Sequence, residues 1–179
     1  MCPMVRRPPG MELALLGFLL QEPQHGYQLH QKISDPAGLG LIWSLKQSQL
    51  YALLSKLEVD GYVFSTLQNQ DPHPPRKVFE LTESGRKIFY DWLISPVTAP
   101  RLVRQDFFAK LFFAQSENKD IERRLIEAQR LICQRWVEEF QLKLADGERM
   151  SYGRKMYQYR LGQVLALKNW LDSYEKNLE

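Results

Sequence analysis

Only two cysteines, Cys2 and Cys133, occur in 179 residues. One sits at the extreme end of the chain and the other within a helical pattern, so no disulfide framework is expected and a reducing cytoplasm fits. Histidine is as scarce. His25, His30 and His73 are the full set; they lack metal-ligand spacing, and two of them, five residues apart, do not share a helical face. No run of about 18 apolar residues is present, so no membrane-spanning helix is expected. The opening MCPMVRRPPG has two arginines but no following apolar region ending in small residues; it reads as a flexible stretch over residues 1–10, not as a secretion signal. Glycine-rich phosphate loops, nucleophile elbows and convergent acid pairs are missing, which argues against an enzyme and against a cofactor or metal. Charge of one sign is nearly missing too. Residues 1–100 hold 9 basic and 9 acidic side chains and residues 101–179 hold 15 and 12, a net +3. Any phosphate-binding surface must therefore come from local clustering.

What the chain does have is the stretch from Ser44 to Gly61, SLKQSQLYALLSKLEVDG. Leu50, Leu53, Leu54 and Leu57 fall at i, i+3, i+4 and i+7, one face of a helix. The other face carries Ser48, Tyr51, Ala52, Ser55 and Lys56, short and lightly charged, which suits a major groove. Ser44 with Gln47 has the form of a capping box, with Ser48 as the alternative cap, and Gly61 marks a left-handed stop.

Two shorter helices are expected before it. One runs from Met11 and ends by Pro23; the other runs through GYQLHQKI, with Tyr27 and Ile33 at packing positions. After Gly61 the period changes from 3.6 to 2 through Tyr62, Phe64 and Thr66, and again through Arg76–Leu81. This predicts a β-hairpin whose tip, Asn69 to Pro75, is too proline-rich to pair. Thr82 caps a further helix, TESGRKIFYDWL. The order is that of a winged helix-turn-helix over residues 1–95. A break at SPVTAP leads to residues 101–179: a short apolar helix DFFAKLFFA, a long helix capped by Ser116 or Asn118, and a last helix with heptad spacing near its end. Its apolar surplus predicts a helical dimerisation domain through Leu125, Ile132, Trp136, Val164, Leu167 and Leu171. The fold class expected is thus mainly α with a small β-hairpin: a winged helix-turn-helix followed by an antiparallel helical domain.

The segments LLGFLLQEPQHGYQLHQKI, QLYALLSKLEVDGYV, RKVFELTESGR and DFFAKLFFA, in that order, resemble PadR-type transcriptional regulators, in particular the branch with a long C-terminal helical domain. Ala52 stands where that family very often has proline. The resemblance implies a homodimeric DNA-binding regulator, a repressor or activator, on a pseudo-palindromic duplex operator. Candidate groove residues are then Gln47, Ser48, Gln49, Tyr51, Ser55 and Lys56, with Tyr51 on a phosphate. Arg76 and Lys77 alternate across a strand, so at most one of the two points squarely at DNA. His73 lies at the hairpin tip, and His25 opens a helix whose amides favour phosphate. A small aromatic effector among Trp43, Trp92, Trp136 and Trp170 is the alternative to their use as core. Two other readings compete: a ligand sensor in which DNA binding is secondary, and a helical protein-interaction module. A salt-dependent shift of duplex DNA separates them.

Overall fold

The computed structural model describes residues 10–70, 73–146 and 152–178. The flexible stretch expected over residues 1–10 lies outside them, apart from Gly10. The chain divides into two compact units, one holding the residues up to Leu93 together with Arg104–Phe113, the other Ile94–Val103 together with the residues from Ala114 onward. The chain thus returns to its first unit once after leaving it.

In the first unit a 3-10 turn at Met11–Leu13 runs into helix α1, Ala14–Phe18, and Leu13, Ala14, Leu15 and Leu16 are all buried. Strand β1, Gln24–His25, precedes helix α2, Gly26–Ile33. Helix α3, Gln47–Val59, buries Leu50, Leu54 and Leu57. The wing is β2, Val63–Gln70, and β3, His73–Leu81, followed by α4, Glu83–Ile94. The sheet is antiparallel in the order β1-β3-β2, with Gln24 opposite Phe79 and His25 opposite Val78. Strand β1 was not expected, because two residues are too few to show an alternation.

The stop after α3 follows its sequence. Gly61 has φ 76°, the Tyr62 amide donates to the Leu57 carbonyl (2.9 Å) and the Gly61 amide to that of Glu58 (3.1 Å). These are the two bonds of a Schellman motif, and a glycine adopts that backbone without strain. Thr82 caps α4 as expected, its hydroxyl accepting from the Gly85 amide at 2.9 Å. A Cβ at Gly85 would lie 2.0 Å from the Tyr62 carbonyl oxygen, so the turn after α3 and the start of α4 are in backbone contact.

The wing departs from expectation at its tip. Pairing continues to Gln70 opposite His73, with an irregularity after Gln68 opposite Arg76. Between those two pairs β2 has Asn69 alone while β3 has Pro74 and Pro75. The prolines thus fall within a bulge, where the ladder asks for no donor.

A π-helical segment, Val103–Phe107, leads into helix α5, Phe108–Glu117. Its Phe113 meets Phe18 edge-on at 5.1 Å and Phe89 at 5.5 Å. Gly17 admits that ring: a Cβ there would be 2.5 Å from it.

The second unit is built on α6, Lys119–Asp146, and α7, Tyr152–Lys176. They run antiparallel, since Arg130 binds Asp172 (2.7 Å) and Glu175 while Phe140 meets Tyr157 at 5.9 Å. Asn118 caps α6 through the Ile121 amide (2.9 Å). Buried Gln129 clamps the backbone of Val97, accepting from its amide at 2.8 Å and donating to its carbonyl at 3.2 Å. The Tyr174 hydroxyl donates to buried Glu122 (2.5 Å) and accepts from Gln115 (2.6 Å). Of the six residues expected to face a second copy, Leu125, Trp136, Val164 and Leu171 are buried within the one chain, and Ile132 and Leu167 half-buried. The protomer itself thus covers four of the six, while Ile132 and Leu167 keep part of their surface.

Candidate nucleic-acid interface

The exposed side of α3 carries Ser48, Tyr51, Ala52, Ser55 and Lys56, the five residues that its spacing put there. Ser48, Ala52, Ser55 and Val59, spaced 4, 3 and 4 apart, lie on one exposed line, and Gln47 is exposed in the first turn. None of these side chains is long or charged, so a base edge could approach the helix closely. Tyr51 and Lys56 flank the line on opposite sides.

Gln49 is committed elsewhere. The helix starts after Lys46, whose amide donates to Gln49 Oε1 at 3.0 Å. The expected caps, Ser44 and Ser48, are not used, and Gln49 serves as half of a capping box instead of reaching outward. Helix α2 opens in the same manner: the His25 amide donates to Gln28 Oε1 at 2.9 Å.

On one flank the N-terminus of α2, α3 and the wing converge. His25, Gly26, Tyr27, Tyr51, Pro75, Arg76 and Lys77 line an open niche of about 550 Å³. Gly26 makes it possible, since a Cβ there would stand 2.6 Å from the Tyr51 ring. Through Nδ1, His25 donates to the Lys77 carbonyl at 3.4 Å, tying the start of α2 to β3. Tyr27, expected in the core, is exposed instead; Gly26, Leu29 and Ile33 form the inward face of so short a helix. Its hydroxyl accepts from Gln31 (3.1 Å). His30, by contrast, is structural, donating from Nε2 to the Leu45 carbonyl at 2.8 Å.

Both flanking lysines are paired. Lys77 lies 3.5 Å from Glu58, which also accepts from the Ser65 hydroxyl at 2.5 Å. Lys56 lies 2.8 Å from Glu12. The Ser65 hydrogen bond, followed by Lys77, holds the Glu58 carboxyl below its usual range in spite of some desolvation. Burial pushes the Glu12 carboxyl up, but Lys56 and the Glu12 and Gly10 amides outweigh it and the net direction is down. Arg76 is exposed. The side chain of His73 lies outside the described residues; its backbone pairs with Gln70. Gly26, Tyr27 and Pro75 are the niche residues that sequence reasoning did not assign to the site, and the signal for the first two was the glycine next to a helix start.

Among the described residues no group of three or more His, Cys, Asp or Glu side chains could hold a metal ion, and no helix is long and apolar enough to cross a membrane.

Three consecutive helices, a two-stranded wing and a fourth helix define a winged helix-turn-helix. Residues 15–90 match the model of the transcriptional regulator PadR-like family. It is 26% identical over 173 residues, 91% of this chain and 94% of the relative, to the negative transcriptional regulator PadR of Bacillus subtilis (strain 168). It is 27% identical over 88 residues to "Probable transcriptional regulator Rv1176c" of Mycobacterium tuberculosis, covering 49% of this chain and 46% of that one. Among solved structures it is similar to Bacillus subtilis PadR in complex with operator DNA, with a TM-score of 0.47 and 27% identity over 92% of this chain and 97% of that one. Both relatives are described as transcriptional regulators.

Proposed function

We propose that the protein binds duplex DNA in a sequence-dependent manner, as a homodimer in the cytoplasm, and represses the genes it controls. The sign follows the Bacillus subtilis relative, described as a negative regulator. The observation that carries the reading is the exposed line Ser48–Ala52–Ser55–Val59 set beside the Tyr51–Arg76 niche. Hydroxyls at Ser48 and Ser55 and the Gln47 amide meet base edges in the major groove. The Tyr51 hydroxyl, the α2 amides and Arg76 hold a backbone phosphate, which fixes register without reading sequence. His25 positions the niche through β3, and Lys77 is a weaker candidate because Glu58 engages it. The unit that holds the residues up to Leu93 together with Arg104–Phe113 supplies the DNA-binding part, and helices α6 and α7 the dimerising part.

Selection of binding sites from random duplex, followed by titration at several salt concentrations, tests this. Arg76→Ala should weaken binding to all sequences and lower the slope of log affinity against log salt by about 0.9 for each phosphate lost. Ser48→Ala or Gln47→Ala should relax preference at particular base pairs. Recovery of no preferred sequence, or indifference to all three changes, would overturn the proposal.

A further inference from the structure

The two lysines that border the candidate interface are both engaged by carboxylates of the same unit, one on each side of α3. Lys56, toward the C-terminal half of α3, has Nζ 2.8 Å from Glu12 Oε1, and Lys77, on the wing, has Nζ 3.5 Å from Glu58 Oε2. Neither lysine is buried: their side chains are 56% and 51% exposed, so each can leave its partner. The carboxylates are more sheltered, at 21% and 32%. Glu12 is fixed by the 3-10 turn that opens the chain's first helix, and Glu58 by the Ser65 hydroxyl. The arrangement is therefore of held anions and movable cations.

Resting on the DNA-binding reading, we propose that Glu12 and Glu58 act as internal competitors for DNA phosphate: each holds one interface lysine in the free protein and must be exchanged for a phosphate when DNA is gripped. The lowered carboxyl pKa values keep both acids ionised at neutral pH, as a competitor must be. The balance of charge across residues 1–100, with 9 basic and 9 acidic side chains, has the same consequence. Non-specific attraction is damped, and discrimination falls to close contacts along Ser48, Ala52 and Ser55. Removing either acid should tighten binding to every duplex and so reduce the ratio of specific to non-specific affinity.

The test uses the full chain, a duplex recovered by selection, and an unrelated duplex. Glu12→Gln keeps the shape of the side chain and removes its charge; Glu58→Gln also keeps an acceptor for Ser65. Each should tighten binding to both duplexes several-fold, most on the unrelated one. The salt slope should steepen by about 0.9 per lysine brought onto a phosphate. Lys56→Ala in the Glu12→Gln background should abolish that gain, and thermal melting of each variant reports whether the fold is kept. If the parent chain binds the selected duplex but Glu12→Gln and Glu58→Gln leave its affinity and salt slope unchanged, the competitors are refuted while the DNA reading stands. If the parent chain binds neither duplex, both fall together.

Discussion

At Lys110 an ammonium that water would normally solvate lies 4% exposed, 5.1 Å from the centre of the Trp92 ring. Burial brings its pKa down to about 8, with Asp106 acting in the opposite direction. The unfolded chain holds the proton up to about 10.5, so between these values the unfolded state binds more protons and stability rises with pH. Below pH 8 both states are charged and the desolvation penalty is fully present. Cys133 works the other way: burial raises its thiol to about 11, so the native state keeps a proton the unfolded state loses above pH 9. The net gain is confined to pH 8–9, where Lys110 should add about 1 kcal/mol. Lys110→Met should flatten that rise without lowering the melting temperature at pH 7, because a well-packed apolar side chain can replace a buried charge. Urea unfolding at pH 7, 8 and 9 measures it. A rise that persists in the variant assigns the titration to another group.

Among the elements, the helix starts show where sequence patterns mislead. Ser44 and Ser48 are good caps by residue type, yet α3 begins at Gln47 because Gln49 reaches back to the Lys46 amide. The glutamine half of a capping box functions here whichever residue stands at the cap, and a search keyed on serine misses it. The prediction is differential. Gln49→Ala should lower stability by roughly 0.5–1 kcal/mol by leaving an end amide to water. Gln47→Ala, the same chemical change two residues earlier, should leave stability unaltered, and equal effects in chemical denaturation would remove the cap as the cause. The period-based readings fared better: the leucine face of α3, the Gly61 stop and the Thr82 cap all follow from side-chain spacing or a single required conformation. Tyr27 was misread because α2 has eight residues, too few for its apolar pattern to tell an inward tyrosine from an outward one. The wing tip was misread because proline forbids a regular ladder but not a bulge.

For the whole molecule, the heptad pattern of the last helix announced that its apolar side chains would be covered, but not by which chain. Val164 and Leu171 of that helix, and Trp136 of α6, are covered within the protomer. Among the described residues, the large apolar side chains that stay exposed are a different set, Leu131 (65%) and Leu142 (72%) on α6 and Tyr152 (80%), Tyr159 (61%), Leu165 (39%) and Trp170 (37%) on α7. Leu131 and Leu142 are eleven apart, as are Tyr159 and Trp170, and eleven residues are close to three whole turns, so each pair lies along one side of its helix. We propose that these stripes meet a second copy about a two-fold axis, setting two copies of α3 to reach successive major grooves roughly 34 Å apart. The two sets of residues separate association from folding. Leu171→Asp puts a charge into a fully buried site and should unfold the helical unit, with a penalty of several kcal/mol. Leu131→Asp and Trp170→Asp should leave melting of the protomer nearly unchanged but shift sedimentation from dimer to monomer at micromolar concentration, and binding to a two-half-site operator should weaken with it. A dimer that survives both exposed substitutions while Leu171→Asp alone dissociates it, still folded, would return the interface to the heptad residues.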